Sequence, residues 1–191
     1  MKYLLLILSL FAMAHPADAG EIESAYTELD PKRDCEVIAA NRDGGDWSNL
    51  VCSGYKGYPV VINYGDARES LFYGFPGDLQ PQWESFTGFN HAGPTIEWRV
   101  EKGGGLEKPF ATIHRWFVNE DEAEVEVLVV EKVAQPDVHE GCAVGYVVAT
   151  GNANANEKAR RIADEEANDF ICGSMRPTVR AGDVPLPALS Q

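Results

Sequence analysis

The chain has 191 residues and carries 30 acidic against 16 basic side chains, a formal net charge of −14. So negative a surface repels phosphate backbones and argues against nucleic acid as a partner. About 170 residues beyond the apolar start make one ordinary domain, and no later apolar run approaches the ~20 residues of a membrane helix.

The start itself is informative. Lys2 supplies a positive charge, Tyr3 to Ala12 is nearly unbroken apolar, and Ala17-Asp18-Ala19 is a small-x-small cleavage site. Residues 1–19 are therefore expected to be a signal peptide; cutting at Ala12-Met13-Ala14 instead would truncate the apolar region. Export places the protein in the periplasm or outside the cell, where Cys35, Cys52, Cys142 and Cys172 meet oxidising conditions. Losing Lys2 and Asp18, one of each sign, leaves the net charge at −14.

Gly20 to Asp34 is polar and reads as an N-terminal arm, residues 20–34. Short β-type runs follow. Cys35 to Asn41 and Asn49 to Tyr55 flank Asp43-Gly44-Gly45-Asp46, and Tyr58 to Tyr64 and Glu69 to Phe75 flank Gly65-Asp66, two hairpin signals. Thr95 to Glu101 alternates, with Ile96, Trp98 and Val100 on one face and Glu97, Arg99 and Glu101 on the other. Phe110 to Val118 and Glu124 to Val133 are joined by the acidic turn Asn119 to Glu122, and Cys142 to Thr150 is the last strand. Val125, Val127, Val129 and Val133 share one face.

A helix is expected from Ala155 to Ile171, because Ala159, Ile162, Ala163, Ala167 and Phe170 recur at three- and four-residue spacing. Asn154 and Glu157 stand as in a capping box, and Gly173 and Pro177 end the pattern. The proline-bearing tail, 174–191, is expected to be extended or disordered. The elements between, 35–173, form a single α+β domain: an antiparallel sheet of about 7–9 strands with one C-terminal helix packed on it.

The cysteines fit this layout. With Asp43-Gly44 as a two-residue turn, Cys35 faces Cys52 in a non-hydrogen-bonded pair, where Cα atoms lie ~4.5 Å apart. A strand running ~30 Å out from Cys142 and a helix returning ~25 Å bring Cys172 back to its level. Disulfides Cys35–Cys52 and Cys142–Cys172 are expected, which leaves no thiol nucleophile.

The common catalytic motifs are missing: Cys-x-x-Cys, Gly-x-Ser-x-Gly, Ser-x-x-Lys in the mature chain, His-Glu-x-x-His and a phosphate-binding glycine loop. No cofactor and no metal are expected. His114 beside Arg115 suggests an anion or acid–base site, but neighbours in a strand point to opposite faces, which favours a structural histidine. His139 between Asp137 and Glu140 matches no ligand template, and Glu120-Asp121-Glu122 with Glu124 and Glu126 lacks the spacing of a calcium loop. Asp66 with Glu97 is the kind of carboxylate pair a glycosidase uses, though thirty acidic residues make some such pair inevitable. Rings crowd Gly54 to Phe75, where Tyr55, Tyr58, Tyr64, Phe72, Tyr73 and Phe75 suit either a sheet or a surface for sugar or peptide. The candidate ligand-binding residues are Tyr55, Tyr58, Tyr64, Arg99 and His114.

Gly54-Tyr55-Lys56-Gly57-Tyr58-Pro59-Val60, Thr95-Ile96-Glu97-Trp98-Arg99, Pro109 to Trp116, and Asn152-Ala153-Asn154-Ala155 leading to Ile162-Ala163-Asp164 resemble a family of small exported proteins of Gram-negative bacteria whose function is unknown. The resemblance spans about Tyr26 to Cys172; it implies export and supplies no catalytic residue. The function expected is that of a monomeric, non-enzymatic binding or envelope-associated protein. Its partner would be a basic protein, such as a lysozyme to be inhibited, or an envelope component. The competing expectation is a small hydrolase acting on envelope material through His114 and carboxylates.

Overall fold

Alternation and apolar runs of two kinds organise the chain, and the computed structural model shows how they layer. It describes residues 20–41, 43, 45–77, 81–121 and 123–190; the expected signal peptide lies outside them. The elements are β1 (Glu21–Glu28), α1 (Pro31–Asp34), β2 (Cys35–Ala40), β3 (Ser48–Ser53), β4 (Pro59–Gly65), β5 (Arg68–Tyr73), β6 (Ser85–Phe86), β7 (Asn90–Gly103), β8 (Leu106–Glu120), β9 (Ala123–Lys132), β10 (Ala143–Val148), α2 (Ala155–Glu166), β11 (Thr178–Arg180) and β12 (Leu189–Ser190). The α+β class and the single substantial helix are as expected. Twelve strands in three sheets among the described residues exceed the seven to nine in one sheet that the sequence suggests.

The larger sheet has the order β1-β7-β8-β9-β10-β11 and the smaller β2-β3-β4-β5, with β12-β6 as a short pair. All ladders are antiparallel except β10 with β11. The segment read as an arm is thus largely strand: β1 pairs along β7 from Glu21↔Lys102 to Glu28↔Thr95. The tail is tied at two points, Thr178–Arg180 on β10 and Leu189–Ser190 on β6. Both segments are too short and polar to show strand periodicity alone, and both are completed by apolar neighbours in the sheet.

The two sheets stack over a core of Ile96, Trp98, Trp116, Val127 and Tyr146 from the larger and Val60, Ile62, Leu71 and Tyr73 from the smaller. The alternate residues of the larger sheet, Ile113, Leu128, Val130, Val144 and Val147, face the helix. Its central strands are therefore apolar on both faces, a three-layer arrangement. Ala159, Ile162, Ala163, Ala167 and Phe170 are all buried in that second core, as their spacing implies. The helix comes close: a Cβ on Gly145 would stand 2.8 Å from Ile162 Cγ2.

Local details differ from the pattern. Asn154 makes no side-chain cap bond, and α2 ends at Glu166 rather than near Ile171. The Phe170 carbonyl accepts from Lys132 Nζ at 2.6 Å, an anchor in the sheet instead of another helical turn. The β4–β5 turn is Asp66-Ala67, one residue beyond expectation, both at φ 53°.

Both disulfides form as expected, Cys35–Cys52 with Cα atoms 3.9 Å apart and Cys142–Cys172 at 5.9 Å. The first is reached by a different route. Near the loop, Ala40 pairs with Ser48 and Ala39 with Asn49; a bulge between Val37 and Ala39 then restores the register that places Cys35 opposite Cys52. Gly44, the second residue of the expected two-residue turn, and Arg42, which flanks it, lie outside the described residues.

Phe170 is 2% exposed. Phe170→Ala is expected to cost ~3–5 kcal/mol, a large-to-small core change. Urea denaturation checks it; an unchanged midpoint would mean that this residue does not close the helix layer.

Candidate functional site

The residues singled out in the sequence do not converge. His114 is fully buried between the sheets, its Nε2 2.6 Å from the Gly93 carbonyl and its Nδ1 2.7 Å from the Tyr73 hydroxyl. A carbonyl only accepts, so Nε2 carries the proton and Nδ1 accepts from Tyr73. Burial pushes its pKa down from 6.5 to about 4. Among the described residues no carboxylate bonds it, and burial favours the neutral ring.

Arg99 lies under the helix. Its Nε and Nη2 donate to Asp164 Oδ1 and Oδ2 at 2.7 and 2.8 Å, and Ser24 Oγ takes Nη1. Glu97 beside it accepts from Arg160 Nε at 2.6 Å and Nη2 at 3.1 Å. These ions hold α2 to β7. Asp66 sits in the exposed β4–β5 turn, bonded to Arg68 at 2.7 Å, so it does not pair with Glu97.

Tyr55 packs on Trp98 at 6.2 Å between centroids and donates to Glu107. Tyr58 donates to Gln135 Oε1 at 3.0 Å and meets Phe75 edge-on. Both serve packing. His139 bonds the Phe75 carbonyl through Nδ1 at 3.0 Å. Among the described residues no cluster of His, Cys, Asp and Glu is placed to hold a metal ion. Glu122 of the acidic turn lies outside them, while Asp121 and Glu124 on either side are exposed.

Tyr64 is different. It is 37% exposed and lines, with Trp47 at 44%, a surface cavity of about 320 Å3. Trp83 is the third aromatic residue of that cavity, and the amides Asn49 and Asn63 also line it; among the described residues none of its lining is charged. The sheet register places the two amides together, while Tyr64, next to Asn63 in β4, alternates to the other face of that strand. Asn49 pairs directly with Asn63, two residues from the pair Val51↔Val61, on the face turned away from the larger sheet. Asn63 Oδ1 is buried without a hydrogen-bond partner among the described residues, an acceptor left for something that brings a donor. Trp47 is set by the loop closing from Asn41 N–H to the Trp47 carbonyl at 3.1 Å.

From this cavity a groove continues. A middle cavity of about 300 Å3 shares Pro81 with the aromatic one and shares Phe72, Gln82 and Gly141 with a third, of about 430 Å3. Glycine at 141 keeps the groove open: a Cβ there would stand 2.9 Å from the Phe72 ring. Glu84 lines the third cavity and also a small internal one with Glu131, Tyr146 and Trp116. Glu84 Oε2 accepts from Ala143 N–H at 2.9 Å, and burial raises its pKa. Glu131 is raised well above the ordinary value, by burial first and then by the charge of Glu84. The Trp116 indole N–H finds no acceptor among the described residues although the residue is 2% exposed.

Trp47, Trp83, Asn49, Asn63 and Glu84 were not singled out in the sequence. The two tryptophans carry a signal in hindsight: large rings in glycine- and proline-rich loops, outside any strand pattern. The asparagines and Glu84 carry none. No protein-family model, no curated protein and no solved structure matches this chain.

Two buried groups give opposite pH dependences. The unfolded chain binds a proton at His114 below about pH 6.5 while the folded chain resists until about 4, so stability falls by about 3 kcal/mol as pH drops through that window. Glu131 contributes stability that is full below its ordinary 4.5 and lost as pH rises through its raised folded value. Urea unfolding across about pH 4 to 8 is expected to show a flatter acid limb for His114→Gln and a smaller decline toward neutrality for Glu131→Gln. Slopes identical to the wild type would mean that neither group titrates differently on folding.

Proposed function

We propose that this is an extracytoplasmic, non-enzymatic binding protein that takes an uncharged carbohydrate chain of the cell envelope on its aromatic cavity. The observation that carries the reading is the cavity of Trp47, Tyr64 and Trp83 with the amides of Asn49 and Asn63. Flat rings cover the C–H faces of a sugar ring, and amides exchange hydrogen bonds with its hydroxyls. The lack of charge among the described residues of this lining suits a neutral chain, and the net charge of −14 disfavours an anionic one. The two disulfides and the apolar start support a place outside the cytoplasm, periplasmic or secreted. The hydrolase alternative loses its base, because His114 is inside the core.

Titration with chitotetraose and with cellotetraose, followed by tryptophan fluorescence and calorimetry, tests it. At least one of them is expected to bind, and Trp47→Ala and Trp83→Ala are each expected to weaken binding about tenfold or more, about 1.4 kcal/mol. Neither change touches the buried cores, so melting should stay close to wild type. No response to either sugar, or binding unaffected by both substitutions, would overturn the reading.

A further inference from the structure

The groove leads from the aromatic cavity to a part of the surface with opposite chemistry. The third cavity, about 430 Å3, lies within the ~300–1,000 Å3 of small-molecule sites. Phe72, Phe170 and Met175 give it apolar walls, and two charged side chains line it, Glu84 and Arg176.

Glu84 is fixed. Its backbone N–H donates to Ser70 Oγ at 3.0 Å and its Oε2 accepts from Ala143 N–H. Its Oε1 has no donor among the described residues. Arg176 makes no ion pair among the described residues either, in a chain where acidic side chains outnumber basic ones by 30 to 16. A carboxyl with one oxygen that takes no donor among the described residues and an exposed guanidinium border one cleft of mixed polar and apolar lining, and they suit opposite charges on one ligand.

The rim is held rigidly. Cys142–Cys172 spans it, Glu140 Oε1 accepts from Cys172 N–H at 2.8 Å, and Glu140 Oε2 lies 3.0 Å from Lys132 Nζ. The Phe170 carbonyl takes the same ammonium. A site so braced costs little ordering when it is filled.

We propose that this cleft binds a short zwitterionic peptide, its ammonium on Glu84 and its carboxylate on Arg176, with small apolar side chains against Phe72, Phe170 and Met175. The peptide site stands on the cleft alone. Its continuity with the aromatic cavity through Pro81, Gln82 and Phe72 extends it, and this step rests on the carbohydrate reading above: the ligand that fills the whole groove is a glycan bearing a short peptide.

Calorimetry with trialanine, N-acetyl-trialanine and trialanine amide tests the cleft, with the full folded protein and without a sugar. Trialanine is expected to bind, acetylation and amidation are each expected to weaken it at least tenfold, and Glu84→Gln and Arg176→Gln to do the same. In a cycle, Glu84→Gln should no longer discriminate against the acetylated peptide, nor Arg176→Gln against the amide. No binding of trialanine to the wild type, or equal binding of the blocked peptides, would overturn the proposal even if a variant failed to fold. Chitotetraose and cellotetraose titrated against the wild type separate the readings: a wild type that binds sugar but not trialanine sinks the cleft alone, and the converse sinks the carbohydrate site alone, while Glu84→Gln and Arg176→Gln are expected to keep sugar binding.

Discussion

A sheet whose central strands are apolar on both faces must be covered twice, and here the two covers differ in kind. On one side the four-stranded sheet supplies Val60, Ile62, Leu71 and Tyr73; on the other a helix of twelve residues supplies Ala159, Ile162 and Ala163. The sheet-side cover is itself a two-faced object. Its outer face is only partly closed, by Ala134 against Val61 and Phe72. The chain leaving β9 reaches that face, with Ala134 N–H donating to the Tyr73 carbonyl at 2.9 Å and Phe75 N–H to the Ala134 carbonyl at 3.1 Å. What this strap leaves uncovered is the groove.

The helix cover carries the heaviest electrostatic commitment. Glu97 and Arg99 are each 8% exposed and are met by the half-buried Arg160 and Asp164, so two desolvated charges of the sheet are answered by two from the helix. Pairs of this sort gain little net stability over apolar residues, because desolvation offsets attraction; their value lies in orientation, since a misplaced helix would strand a buried charge. Small alanines alone would let α2 slide along the sheet. The bidentate Arg99–Asp164 contact fixes its position.

Periodicity made much of this legible. The alternation at Ile96, Trp98 and Val100, the valine face of β9 and the helical stripe all record which side is buried, and each is buried as it reads. Both disulfides were legible too, although the Cys35–Cys52 register depends on a bulge that no residue pattern announces. The polar faces misled. Glu97 and Arg99 read as a solvated face because the sequence does not say that a helix lies over them. Short edges were invisible as well, since β1, β11 and β12 acquire their strand character from partners far along the chain. The site was least legible of all. Of the aromatic residues in Gly54 to Phe75, only Tyr64 reaches the groove's aromatic end, and its companions Trp47 and Trp83 come from loops on either side of that segment.

That distribution has a physical logic. Rings inside the ladder are needed to cover the larger sheet, and Tyr73 shows the cost of assigning them otherwise, since its hydroxyl is committed to His114 and its ring lies edge-on to Trp98 at 6.0 Å. Loop residues carry no such duty. Trp47 and Trp83 are free to present rings because β3, β4 and β5 already close the core beneath them, and the same holds for Glu84, braced by Ser70 and Ala143 rather than by the core. The protein thus separates its residues by layer: the sheets and helix bury their apolar side chains against each other, and the proposed recognition chemistry falls to the loops that cross the outer face of the smaller sheet.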